Sequence, residues 1–265
     1  MALDESHPPA QFPPARFLAA PPHTDGGEIA RIAYIKSDGD SPTFVWVGGM
    51  MSDMRGSKAT DFHAWAEEHG HGYVRFDFPG LGESSGDYLD GHVTRRVRDT
   101  LQVIDELTTG DVVLIGSSMG GWVSLLAARE RPGRVKALLL INPAPDFTEW
   151  LLEDWPPEVR REIERDGIVH IPSDYGEPTP YAWAWIEDGR ANLVMESDMG
   201  LDIPIHIFSG AEDDVVPTAK CRELAAAMKN ATLTVVEGGD HSLSRPEDLE
   251  RLRAELDDLA KESAG

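Results

Sequence analysis

The sequence predicts an α/β protein, a mostly parallel sheet flanked by helices on both faces, with one insertion between its sixth and seventh strands. Three observations carry this. Short apolar runs recur without polar alternation, the pattern of strands buried on both faces. Segments of helical periodicity separate them, as repeated strand–helix units require. One irregular stretch, about 143–202, breaks that alternation and holds four of the seven tryptophans.

Residues 15–20 and 28–36 flank Asp25-Gly26-Gly27, a turn signal, and so predict a hairpin. Residues 43–47 form an apolar strand ending in Gly48-Gly49. A helix is expected over 57–69, a strand over 73–78 and a glycine-rich loop over 79–86. Over 92–108, Val93, Val97, Leu101, Ile104 and Leu107 recur at helical spacing, so this segment reads as an amphipathic helix with Arg95, Arg96 and Arg98 on its polar face, paired with surface acids. Residues 112–116 and 135–141 are continuous apolar strands. The helix between them, 119–131, stops at Pro132-Gly133. The irregular stretch shows one short polar helix near 157–166. Alternation resumes with a strand at 203–208, a helix at 218–229, a strand at 232–236 and a helix at 246–261. The organisation expected is a proline-rich start with the first strand (1–27), a core of 28–145 plus 203–265, and an insertion at 146–202 above the carboxyl edge of the sheet, where open α/β sheets bind ligands.

Composition narrows the function classes. The chain has 265 residues, 41% of them apolar, enough for one large core. Its net charge of −23 opposes binding to nucleic acid and to anionic lipid surfaces. No apolar run is long enough to span a membrane, and the start resembles neither a secretory signal nor a mitochondrial presequence. One cysteine, Cys221, leaves no intramolecular disulfide or cysteine-rich zinc site and reads as core. A cytoplasmic protein, not integral to a membrane, is expected.

The chemistry concentrates at Gly116-Ser117-Ser118-Met119-Gly120, a G-x-S-x-G between a strand and a helix. The turn this motif makes needs small residues two before and two after the serine. Gly116 and Gly120 meet that need for Ser118; Ile115 and Met119 fail it for Ser117. A serine hydroxyl needs a general base and an orienting carboxylate. His241, between the last strand and the last helix, is the base candidate. For the acid, Asp213 fits a G-x-x-D-x-x-V-P register after strand 203–208; Asp214 and Asp146 are the alternatives, and Asp240 faces away. The oxyanion donors are the backbone N–H groups of Met119 and of Met50 in the loop after strand 43–47. Trp150, Trp155, Trp183 and Trp185 either contact substrate or pack on the insertion's own core. His63, His69 and His71 read as a solvated helix end, and Lys58 as a helix-surface residue. Arg75 and Asp77 brace the glycine-rich loop.

Gly49-Met50, the motif at Ser118, Asp213 and His241 together resemble the α/β-hydrolase superfamily over about residues 28–260. Gly56-Ser57-Lys58-Ala59, Arg75-Phe76-Asp77-Phe78, Gly80-Leu81-Gly82-Glu83-Ser84 and Gly116-Ser117-Ser118-Met119-Gly120-Gly121-Trp122 resemble its palmitoyl-protein thioesterase and acyl-glucuronide esterase branch. The resemblance implies an α/β-hydrolase fold with a lid at 146–202. It also implies hydrolysis of carboxylic esters or thioesters, with a small-molecule acyl substrate and without metal or cofactor; the start of the chain, unlike a transit peptide, points to a bacterial relative. The same triad serves C–C bond hydrolases and cofactor-free peracid-forming enzymes, and a ligand-binding protein can retain the fold.

Overall fold

The computed structural model describes residues 13–21, 30–173, 176–197 and 199–263. Eight strands form the main sheet, in the order β1-β2-β4-β3-β5-β6-β9-β10. They are β1 (Arg16–Ala20), β2 (Ala30–Ser37), β3 (Asp40–Val47), β4 (His71–Phe76), β5 (Val112–Ser117), β6 (Val135–Ile141), β9 (Ile205–Gly210) and β10 (Ala231–Val236). From β4 to β10 every pairing is parallel; β1 and β2 close one edge antiparallel. The expected pairing of the first two strands is present, and the turn at 25–27 lies outside the described residues.

The central strands read as unbroken apolar runs because both faces are covered. Val45, Val47, Leu114 and Leu138 point into one apolar cluster with helices α2 (Val93–Leu107), α3 (Met119–Glu130) and α7 (Thr218–Ala227). Their chain neighbours Phe44, Trp46, Val113, Ile115 and Leu139 point into a second, with α1 (Ser57–His69) and α8 (Pro246–Ser263). That is the period-two alternation of a strand, with burial on both sides. The chain leaves β3 for β4 on one side and reaches β5 on the other. The carboxyl ends of β3 and β5 are therefore a topological switch point, the usual location of a binding crevice.

Between β6 and β9 the chain makes helices α4 (Phe147–Asp154), α5 (Pro157–Asp166) and α6 (Trp183–Arg190), with an antiparallel hairpin of β7 (Ile168–Ser173) and β8 (Gly176–Ala182). Of these, only α5 is expected from the sequence. Trp155, Ile163 and Val169 form a small core of this excursion. Side chains tie it to the body: Trp185 Nε1 donates to Leu89 O at 2.8 Å, Trp122 Nε1 to Asn192 O at 3.0 Å, and the Thr94 N–H to Asp188 at 2.9 Å.

One expectation about α2 is corrected. Arg95 and Arg96 are buried, not on a solvated face. Arg95 pairs with the equally buried Asp99 at 2.8 Å, and Arg96 turns toward the loop after β3. His63 likewise lies inside the fold rather than at a solvated helix end; its Nδ1 accepts from Arg75 Nε at 2.9 Å, and burial beside that guanidinium pushes its pKa down to about 4.

Candidate active site

β5 ends at Ser117 and α3 begins at Met119, so Ser118 alone makes the turn. Its φ of 54° and ψ of −123° lie in a region that non-glycine residues rarely occupy, at a cost of order 1–3 kcal/mol. The surroundings hold it there. Its N–H donates to Ile141 O at 2.9 Å, and its carbonyl accepts from Gly121 and Ala144 at 2.9 and 3.0 Å. A side chain at Gly120 would put Cβ 2.1 Å from Val47 O, and one at Gly116 would lie 2.6 Å from Gly120 O. The elbow therefore requires glycine on both sides of Ser118. The residue is half-buried at the N-terminus of α3, where unpaired N–H groups and the helix dipole favour negative charge.

The loop after β3 passes directly beside Ser118. A Cβ on Gly49 would lie 3.3 Å from Ser118 Cβ. The loop's carbonyls are held by α2: Arg96 donates to Gly49 O at 3.2 Å and to Met50 O at 3.0 Å. Further on, Asp77 accepts from the Met54 and Glu83 N–H groups and so braces the glycine-rich loop as expected, while Arg75 donates to Met54 O at 2.7 Å, in the segment after β3.

Asp213 and His241 come together from the loops after β9 and β10. Nδ1 of His241 lies 2.8 Å from Asp213 Oδ2. Asp213 Oδ1 accepts from Val215 and Val216 N–H, each at 2.8 Å, and its side chain is fully buried. An ionised carboxylate only accepts, so this pairing assigns the donor role to Nδ1 of His241 and leaves Nε2 as the acceptor. Asp214 is exposed. Asp146 does other work: its carboxylate accepts from Val194 and Met195 N–H, pinning the excursion. Asp240 is exposed and accepts from the Leu243 N–H at 2.9 Å.

Three further residues shape the site without having been singled out for it. Asn142, fully buried, donates to Asp240 O and His241 O at 3.1 and 2.9 Å and accepts from Gly210 N–H at 2.8 Å; it ties β9 to the loop that carries His241. Lys58 Nζ donates to Ser242 O, and burial pulls its pKa down to about 8. It is thus a brace of the histidine loop, not a free surface lysine. Arg96 is the third.

The four tryptophans of the excursion divide. Trp155 meets Tyr181 edge-on at 5.2 Å, and Trp185 is buried against Tyr88. Trp183 lies under the Arg190 guanidinium at 5.6 Å. Trp150 lines an open groove of about 420 Å³, where Leu193, Met195 and Lys220 stand among the acids Asp146, Glu149, Glu153, Glu196 and Glu223. Among the described residues no group of three or more His, Cys, Asp or Glu side chains is arranged to hold a metal ion, and no helix is long and apolar enough to cross a membrane.

The chain belongs to the alpha/beta hydrolase family, whose sequence profile matches residues 44–252. It is similar to the human palmitoyl-protein thioesterase ABHD10, mitochondrial, 30% identical over 236 residues that cover 88% of this chain and 77% of that one. A crystal structure of an Agrobacterium vitis S4 protein superposes with a TM-score of 0.86 at 35% identity, covering 94% of this chain and all of that one. The mouse alpha/beta hydrolase domain-containing protein 10 follows at 0.83 and 28%, covering 92% and 97%.

Proposed function

We propose that this protein hydrolyses carboxylic esters or thioesters through an acyl-enzyme on Ser118. One observation carries the reading: the Asp213–His241 hydrogen bond at the sheet edge that also carries a strained serine. In this mechanism Ser118 Oγ attacks the acyl carbonyl carbon while His241 Nε2 takes its proton. Asp213 holds the tautomer and stabilises the imidazolium. The carbonyl oxygen becomes an anion facing the Met50 and Met119 N–H groups, each worth about 3 kcal/mol of barrier. The tetrahedral carbon then re-forms its carbonyl and expels the alkoxide or thiolate, which takes the proton from His241 and leaves as the alcohol or thiol. Water, deprotonated by the same Nε2, attacks the acyl-enzyme and releases the acid and Ser118.

The likeness to a palmitoyl-protein thioesterase supports acyl esters and thioesters as the substrate class. We assign the excursion, 146–202, the role of a lid. In this reading Trp150, with Leu193 and Met195, offers apolar contacts for an acyl group in a groove otherwise lined by carboxylates, and the other three tryptophans stiffen the lid. The single buried cysteine suits a reducing, cytoplasmic setting. The test is hydrolysis of p-nitrophenyl esters from short to long acyl chains, with Ser118→Ala as control. Turnover that vanishes in the variant supports the reading; equal turnover in both rejects Ser118 as nucleophile.

A further inference from the structure

Arg96 is a fully buried cation whose three hydrogen-bond acceptors are main-chain carbonyls. Nε donates to Gly91 O at 2.7 Å, Nη1 to Gly49 O at 3.2 Å and Nη2 to Met50 O at 3.0 Å. The ring of Phe78 covers the guanidinium, with Cζ 4.6 Å from its centroid. The nearby Asp99 pairs with Arg95. Burying a charge without a bonded counter-charge is expensive. A brace for stability alone does not need a cation, and its placement behind this loop suggests what it is for.

We propose that Arg96 positions the oxyanion-binding loop, an inference that rests on the hydrolase reading above. The Gly49–Met50 peptide is trans, so its C=O and N–H point in opposite directions. With Gly49 O drawn to Arg96, the Met50 N–H is turned away from Arg96. Ser118 stands close to Gly49, its Cβ 3.3 Å from where a Gly49 Cβ would stand, and in this proposal the Met50 N–H faces it. The guanidinium fork engages two successive carbonyls in a fixed geometry, as an ammonium cannot. Its charge polarises the peptide it holds and strengthens the N–H as a donor. Burial lowers the Arg96 pKa to about 10, so it stays charged at neutral pH. Arg96 touches no reacting atom in this scheme and is a positioning residue.

The test compares wild type with Arg96→Lys and Arg96→Gln on p-nitrophenyl butyrate. Decyl trifluoromethyl ketone serves as the inhibitor, because it forms a tetrahedral hemiketal on an active serine. Expected is a fall in kcat of about 10²-fold in Arg96→Gln, the scale of a misplaced or lost oxyanion donor. KM should move by less than about 3-fold, because only transition-state binding is removed. The inhibitor constant should weaken by the factor that kcat loses, and Arg96→Lys should recover part of both. A purely structural role would lower the melting temperature and leave kcat and the inhibitor constant unchanged below it; that result overturns the proposal. Should neither variant fold, the wild-type crystal structure with the ketone bound decides. Met50 N–H on the hemiketal oxygen with Arg96 still on Gly49 O supports the proposal, and a flipped peptide with Gly49 O facing Ser118 overturns it. If the ketone never bonds to Ser118 in the wild type, the hydrolase reading falls and this inference with it; a Ser118 adduct with unaffected Arg96 variants defeats this inference alone.

Discussion

A carboxylate that accepts two backbone amides on one oxygen and an imidazole on the other is fixed in orientation, and that makes Asp213 a sensitive position. Asp213→Asn keeps the size and the amide bonds on one oxygen but presents an N–H₂ to His241. The imidazole must then accept at Nδ1 and carry its proton on Nε2, the wrong tautomer for a base. Turnover should fall by about 10⁴-fold with little change in melting temperature. A loss below about tenfold would show that Asp213 does not orient the base. His63 gives a separate, pH-dependent prediction. Its pKa is pushed down from 6.5 to about 4 by burial and by Arg75. The unfolded chain therefore binds this proton more readily than the native state. His63 contributes stability that is present above pH 6.5 and lost as the pH falls toward 4, about 2 kcal/mol after allowing for solvent screening. His63→Asn retains an acceptor for Arg75 and should flatten the urea-derived stability curve across that window. Parallel curves for wild type and variant would contradict this.

At the scale of elements, the β5–α3 elbow is the least tolerant junction. Gly120→Ala places a methyl 2.1 Å from Val47 O, backbone that cannot move without shifting β3. Destabilisation of about 3 kcal/mol or more is expected by urea unfolding; a loss below about 1 kcal/mol would mean the elbow can relax. The excursion separates packing from binding. Trp155→Ala empties part of its core and should cost about 3–5 kcal/mol. Trp150→Ala, at the groove, should cost less stability and raise KM for longer acyl chains most. The reverse pattern would place Trp155 on the substrate. What the sequence discloses follows from the same physics. β3, β5 and β6 are legible because strands buried on both faces carry unbroken apolar runs. The elbow is legible because a tight turn demands Gly116 and Gly120, and the Asp213–His241 contact because both residues stand at loop positions that the strand order brings side by side. Helices α4 and α6 are two turns long, too short to declare a period, and Pro172, Pro178 and Pro180 obscure the hairpin between them. Arg96 and Asn142 are illegible for another reason. Their acceptors are carbonyls distant in sequence, and no residue pattern marks a carbonyl as a partner.

For the whole molecule, the net charge of −23 is the dominant feature outside the site. Self-repulsion of that size lowers stability when unscreened. Raising salt from about 10 mM to about 300 mM shortens the screening length severalfold and should raise the melting temperature by a few degrees. A fall would show that ion pairs outweigh the repulsion. The same field opposes adsorption to anionic vesicles, so acyl substrates should reach the site from solution or from neutral carriers. The sheet brings together, at the carboxyl ends of β3, β5, β9 and β10, residues spread from Gly49 to His241, and the proposed chemistry depends on one of them. The most direct measurement is peptide mapping after reaction with a fluorophosphonate, which phosphonylates only an activated serine. The expected result is a single adduct on Ser118, lost in Asp213→Asn and in His241→Ala. An intact protein with no adduct, or an adduct on another serine, would contradict the assignment of Ser118 as the nucleophile.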